Sequence, residues 1–458
     1  MRGDGDILLV STYELGHVPH GIALPKAFLE RAGYRPAALD LAVEPLDPVR
    51  VGAARLAALS VPMHTGLRLG VEAARRIRAL NPGCTLVFHG LYATLNAALL
   101  EREGAAAVLS GECEDELVAL AGALERGEPL APFLGRGGAG ATLARLQFPV
   151  PSRTGLPALD KYARLDDGTG GAHLVAGYTE ATRGCLHECR HCPIPALYGG
   201  RFFAVPVEVV VEDVARQVAA GARHVTFGDP DFLNGPGHAL RVARAVRARF
   251  PRLTFDFTAK VEHLVRHAGP VAELGRLGAL FVTTAVESLS ERVLARLAKG
   301  HRRADVEAAF EVAARAGISV RPTLVPFTPW ETLDGYLDLL DTFASRGWLA
   351  DVDPVQLTLR LLVPPGSLLE GSPDVQFEGL DEQALTWRWR HPDPRMDALQ
   401  REVAAAAAEG ESRREPAHET QARIVALAAL AAGRARGPAV PTPHSGRRGP
   451  RLTEHWFC

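Results

Sequence analysis

Two blocks of this chain alternate short apolar runs with amphipathic stretches, a pattern that admits little besides parallel sheets covered by helices on both faces. In the first block, residues 6 to about 128, Ile7-Leu8-Leu9-Val10 reads as a buried strand. Residues 21–33 then form a helix with Leu24, Phe28 and Leu29 on one face and Gly33 as its stop. Ala37-Ala38-Leu39, Leu56 to Val61, Leu86-Val87-Phe88 and Ala106 to Leu109 supply further strands. The first strand is not followed by G-x-G-x-x-G, so a dinucleotide-binding reading is weak.

The second block, about 173–363, repeats the alternation in longer units, with strands expected at 174–181, 224–228, 254–258, 279–285, 318–325 and 355–362. Six βα units with right-handed crossovers curl into an open barrel. Ser288-Leu289-Ser290-Glu291 has the capping-box form, with Leu289, Val293 and Leu297 at helical spacing and Gly300 as the stop. The fold class is therefore α/β: an N-terminal doubly wound, Rossmann-like parallel-sheet domain over 1–130, a linker over 131–170, and an open (β/α)6 partial TIM barrel over 171–368. A helical C-terminal extension over 369–436 and a mobile Pro-, Gly- and Arg-rich tail over 437–458 complete the chain.

Immediately after the first barrel strand stand Cys185, Cys189 and Cys192, a C-x3-C-x2-C triplet. Catalytic residues of such barrels gather at strand C-terminal ends. Three thiolates at this spacing can hold three irons of a [4Fe-4S] cluster and leave the fourth open, whereas an electron-relay cluster normally takes four cysteines. Structural zinc needs four closed ligands. His187 and His191 lie inside the triplet, where a short loop could hardly close a tetrahedron, and Cys84 and Cys113 are single and distant. Six cysteines in 458 residues are too sparse for a disulfide scaffold.

The net charge of -2 and the lack of a Lys/Arg block argue against a nucleic-acid partner. No run approaches the ~18 apolar residues of a membrane span. The acidic start, Met1-Arg2-Gly3-Asp4-Gly5-Asp6, is unlike a signal peptide, which leads to the expectation of a cytoplasmic protein with no membrane partner.

With Tyr178-Thr179-Glu180-Ala181-Thr182-Arg183-Gly184-Cys185 leading into the triplet, the chain resembles the radical S-adenosylmethionine (SAM) superfamily over roughly 170–365. The resemblance implies that the three cysteines hold the cluster and that SAM chelates its open iron. A reductant such as flavodoxin or ferredoxin then drives SAM cleavage to a 5′-deoxyadenosyl radical, for C–H activation of a small-molecule or peptide substrate. It also implies SAM-binding roles: His191 in the position whose backbone faces the adenine, Phe227-Gly228-Asp229 in place of G-G-E at the second strand end, and Glu287 near the ribose or methionine. Thr323-Leu324-Val325 with Pro326 to Pro329 resembles the G-x-P-G-E-T region, with Glu331-Thr332 kept and the glycine lost, and Pro365-Gly366-Ser367 resembles the P-G-T segment.

The N-terminal block resembles the cobalamin-binding-type domain that precedes the barrel in one branch, through Phe88-His89-Gly90-Leu91-Tyr92-Ala93-Thr94 and Gly111-Glu112-Cys113-Glu114. The D-x-H-x-x-G element that supplies a lower cobalt ligand is absent, and His89 replaces the first glycine of the G-G turn. Members without that ligand either bind cobalamin or have lost it, so cobalamin stays open. The segment Trp387-Arg388-Trp389-Arg390-His391-Pro392 and the closing Trp456-Phe457-Cys458 resemble a radical SAM group named for a C-C-A-E-P or C-U-A-E-P tail, U being selenocysteine. The resulting expectation is a selenocysteine codon read as stop after Cys458, which would be half of a reactive pair. Two other readings compete with a radical SAM enzyme: an iron-sulfur redox or sensor protein that never cleaves SAM, and a methylthiotransferase. The latter would carry three further cluster cysteines upstream and an RNA-binding module downstream, and neither is visible.

Overall fold

The computed structural model of the protein describes residues 1–133, 143–434, 437 and 449–454. Strands β1 (Ile7–Ser11), β2 (Ala37–Asp40), β3 (Leu56–Ser60), β4 (Thr85–His89) and β5 (Ala107–Leu109) form one all-parallel sheet in the order β2-β1-β3-β4-β5. All five residues of β1 and of β3 are buried, as a strand covered on both faces requires. Two apolar clusters fill the two sides: Leu8, Val10, Ala57 and Leu59 on one, Ile7, Leu9, Leu56 and Ala58 on the other.

The second sheet is built from β6 (Arg164–Asp166), β7 (Leu174–Thr179), β10 (His224–Phe227), β11 (Thr254–Thr258), β12 (Ala279–Glu287) and β13 (Ser319–Leu324). Between β7 and β10 lies a separate antiparallel ribbon of β8 (Thr182–Gly184) and β9 (Phe202–Ala204). Strands β7, β10, β11, β12 and β13 are parallel neighbours, and a large apolar cluster lies between them and their helices.

The sixth barrel strand expected at 355–362 is reduced to a 3-10 turn, Pro354–Leu357, and one parallel bridge between Phe327 and Arg360. Phe327 donates to the Leu359 carbonyl at 3.1 Å and accepts from Leu361 N–H at 2.8 Å. Pro326, Pro329, Pro364 and Pro365 carry no N–H with which to extend that ladder.

The extension is not wholly helical. Gln376–Asp381 (β14) and Thr386–Arg390 (β15) form an antiparallel hairpin before the helices Pro394–Ser412 and Ala417–Ala431. Trp-Arg-Trp-Arg alternates with period 2, the strand period: Trp389 is buried, while Arg388 and Arg390 are exposed. Arg360 stacks 3.5 Å over the Trp389 ring.

The linker contributes β6, and the tail contributes β16 (Arg451–Leu452), which pairs antiparallel with β6 and closes the sheet order as β13-β12-β11-β10-β7-β6-β16. Residues 449–454 are therefore docked, contrary to a wholly mobile tail. An Arg451–Asp166 ion pair of 2.6 Å and a Tyr13 hydroxyl donating to Glu454 at 2.9 Å fix them. Trp456, Phe457 and Cys458 lie outside the described residues. Among the described residues no helix is long and apolar enough to cross a membrane.

Candidate active site between two sheets

The barrel strands line their interior by simple alternation. Tyr178 on β7, Thr226 and Gly228 at the end of β10, Asp256 and Thr258 on β11, Phe281 and Thr283 on β12, and Arg321 and Thr323 on β13 all face one cavity of about 350 Å³. The opposite wall comes from the other domain: Ser60, Pro62, His89, Gly90, Gly111 and Glu114, all at or beyond the C-terminal ends of its strands, together with Glu14, His17 and His20 from the segment after β1. Both sheets thus present their C-terminal edges to the same space, where α/β proteins bind ligands.

The cysteines occupy the loop of the β8–β9 ribbon at the rim of this cavity. Gly184 and Ile194, just outside the triplet on either side, line it. Gly184 sits at φ +78°, and a Cβ there would stand 2.5 Å from the Arg201 carbonyl oxygen, so the turn into the loop requires glycine. Cys185 and Cys189 are buried, all three thiols are free of disulfides, and burial pushes Cys192 up to about 12. Such a thiol becomes a thiolate at neutral pH only when a cation binds it, so the donor set suits a cluster held by three cysteines.

Neighbouring side chains fix the loop. Asn234 Oδ1 accepts from Leu186 N–H at 3.2 Å and lies 3.7 Å from Cys185 Sγ. Arg190 N–H donates to the Leu297 carbonyl at 3.0 Å. His191 Nε2 is 3.1 Å from Glu287 Oε1, and its buried Nδ1 has no protein partner. Glu287 is itself buried, not a solvated residue ahead of a helix, and has φ +64° at a register shift in β12. Burial alone would push its pKa up, but the Lys299 ammonium and His191 outweigh burial and hold it down to about 2.

Of the other residues singled out from the sequence, Gly228 and Thr323 line the cavity. Phe227 is one residue out of phase with Thr226, so its ring turns into the helix layer and stacks on Phe232 at 4.6 Å. Asp229 does not face the cavity: its carboxylate accepts from Ala181 N–H at 3.0 Å and from the Thr182 hydroxyl, and burial raises it to about 6. Val325 follows the last residue of β13, donates its N–H to the Glu287 carbonyl at 2.9 Å, and packs with Val293 and Leu297. Ser290, not Ser288, caps the helix Glu291–Arg296, because the Ser288 hydroxyl donates to buried Glu331 at 2.7 Å.

Several site residues were not evident in the sequence. Lys299, just before the helix stop expected at Gly300, lies buried beside Glu287 with the Cys189 and Cys192 thiols within electrostatic range. Arg183 bridges the domains, 2.6 Å from Glu114 and 3.3 Å from Glu112, while Tyr198 donates to Glu112 at 2.9 Å. Burial raises Glu180 to about 8 and Glu14 to about 7, and lowers His17 and His89 to about 4. At the C-terminal edge of the N-terminal sheet, His89 Nε2, Thr94 Oγ1 and Ser110 Oγ are buried with no protein partner. A polar-rimmed group seated on that edge, as a corrinoid would be, suits them.

Residues 179–340 match the radical SAM superfamily. An uncharacterized methyltransferase of Pyrococcus horikoshii is 24% identical over 331 residues, which covers 69% of this chain and 68% of that protein. A putative methylthiotransferase of Methanocaldococcus jannaschii is 24% identical over 208 residues, 42% of this chain and 43% of its own length. Among solved structures, the radical SAM methyltransferase TsrM from Kitasatospora setae, with tryptophan substrate and a SAM analogue bound, superposes with a TM-score of 0.64 at 18% identity, covering 95% of this chain and 96% of its own. The cobalamin-dependent SAM radical enzyme OxsB, with aqua-cobalamin and SAM bound, gives 0.68 at 14% identity over 88% of this chain and 67% of its own. Three cysteines free of disulfides thus stand at the mouth of a barrel whose residues 179–340 match the radical SAM superfamily, and the chain, an enzyme, shares its two-domain fold with TsrM and OxsB.

Proposed function

We propose that this enzyme is a cobalamin-dependent radical SAM methyltransferase acting on a small molecule. One observation carries the reading: a single cavity is walled by the C-terminal edges of both sheets and rimmed by the cysteine loop. That TsrM, a neighbour in fold, has been solved with tryptophan as its substrate supports a small-molecule substrate here.

In this reading Cys185, Cys189 and Cys192 hold a [4Fe-4S] cluster, and Gly228, Thr258, Thr283 and Thr323 offer backbone and hydroxyl groups to SAM. His89, Thr94 and Ser110 offer their unpartnered polar atoms to cobalamin. Bound there, the cluster supplies the electron for SAM activation and cobalamin supplies methyl-carrying capacity. The protein orients these groups and excludes water. Asn234 and Arg190 hold the cysteine loop in place, and Arg183 locks Glu112 and Glu114 of one domain against the ribbon of the other. Glu180, 3.7 Å from His20 Nε2 and raised to about 8, can carry a proton at its carboxyl oxygen at neutral pH. A flavodoxin- or ferredoxin-class protein is the expected reductant.

Anaerobic reconstitution with iron, sulfide and hydroxocobalamin tests the proposal. The protein should keep one corrinoid per chain through gel filtration, shown by its visible absorption, and should turn SAM over when reduced. A cluster-loaded protein that retains no cobalt overturns the methyltransferase reading.

A further inference from the structure

Three βα connections at the C-terminal end of the barrel converge on a second point beside the cysteine loop. His187 stands midway between Cys185 and Cys189, Asp231 follows β10, and His263 lies in the helix Val261–Arg266 that follows β11. His187 Nε2 is 3.4 Å from Asp231 Oδ2, His263 Nδ1 is 2.8 Å from the same oxygen, and the two ring nitrogens are 3.5 Å apart. Asp231 has no exposed surface, and the two histidine side chains are 13% and 6% exposed.

From these observations we infer that His187, Asp231 and His263 form a mononuclear site for a divalent transition ion, zinc or ferrous iron, separate from the three-cysteine site. The separations carry the argument. A circle through the three donor atoms has a radius of about 1.9 Å, so an ion slightly off their plane meets all three at the ~2.0–2.1 Å typical of nitrogen and carboxylate ligands. Two imidazoles and one carboxylate select zinc or iron(II) over magnesium or calcium.

The remaining contacts are those of a supported ligand set. Leu233 N–H donates to Asp231 Oδ1 at 2.9 Å and Lys260 N–H to Oδ2 at 3.2 Å, orienting the carboxylate. Glu262 lies 4.0 Å from the far nitrogen of His187, a carboxylate whose charge favours a proton on that nitrogen and so leaves the other free for an ion. The ion would tie the middle of the cysteine loop to the two neighbouring barrel connections. It does not depend on cobalamin or on the proposed reaction.

Metal analysis of the cluster-loaded full chain should find one zinc, or one iron beyond the four of the cluster. After removal of that ion, Co²⁺ should bind at one per chain with the visible bands of a low-symmetry nitrogen–oxygen site. His263→Ala should weaken Co²⁺ binding about tenfold or more and Glu262→Gln by less, both with the cluster absorption intact. Should His263→Ala fail to fold, the Co²⁺ spectrum of the unmutated protein and the Glu262→Gln affinity still decide. No ion beyond the cluster together with no Co²⁺ uptake overturns the site, as does Co²⁺ uptake that both variants leave unchanged. Loss of the cluster reading alone would show instead in the iron-to-sulfide ratio.

Discussion

Lys299 Nζ lies 3.0 Å from Glu287 Oε1, and both side chains are almost completely shielded, 2% and 6% exposed. A buried pair of this kind gains less from its attraction than it loses when one partner is removed. The same carboxylate oxygen also faces His191, so Lys299 ties the cysteine loop to the end of β12 through one acid.

Lys299→Met should leave Glu287 as an uncompensated buried charge and destabilise the protein by about 3–5 kcal/mol. The double variant Lys299→Met/Glu287→Gln should recover most of that loss in denaturant unfolding. Additive effects of the two changes would show that the ion pair is not the source.

Substituting any one of Cys185, Cys189 and Cys192 by Ala should prevent assembly of a stable [4Fe-4S] cluster and abolish SAM cleavage, while Cys84→Ala and Cys113→Ala should do neither. Cys84 and Cys113 pack in the N-terminal sheet domain, where burial raises both thiols as in any small apolar site. Iron content and 5′-deoxyadenosine release distinguish the two groups.

Glu180 sets a pH dependence of opposite sign to ordinary acid unfolding. Burial raises it from 4.5 to about 8 in the folded protein, so the folded state holds a proton that the unfolded chain has released. The stability this contributes is present below about pH 4.5 and is lost as pH rises through about 8. Glu180→Gln should therefore flatten the decline of the melting temperature between about pH 6.5 and 8.5, by an amount on the order of 1 kcal/mol. An unchanged slope would mean that Glu180 is already ionised at neutral pH.

The sheets were legible because their strands are buried on both faces and carry continuous apolar runs, as residues 7–10 and 279–282 do. The three cysteines were legible because metal ligation fixes spacing in sequence as well as in space. What escaped depends on long-range pairing. Strands β6 and β16 span three and two residues and meet across nearly the whole barrel sequence, too short to show a period. Lys299 and Glu287 sit on either side of a short helix, and their pairing rests on two non-glycine residues with positive φ, Glu287 and Ala298. Asp229 stands where the resemblance implies a SAM contact, yet its carboxylate is drawn back to the turn at Ala181–Thr182 because that buried N–H and hydroxyl need an acceptor.

Gly228 offers the sharpest probe of the cavity itself. A Cβ on Gly228 would lie 1.9 Å from the Tyr178 hydroxyl oxygen, far inside contact distance, and Tyr178 is held between β7 and the strand end by the Gly228 carbonyl and Glu180 at 3.4 Å each. Gly228→Ala must therefore push the Tyr178 ring toward the space where SAM is proposed to sit. Calorimetric binding of a SAM analogue to the cluster-loaded protein should weaken about tenfold or more, equivalent to about 1.4 kcal/mol. Gly228→Ala/Tyr178→Ala removes the obstructing ring and should restore most of the affinity. If the single variant binds the analogue as tightly as the unmutated protein, SAM does not occupy this side of the cavity.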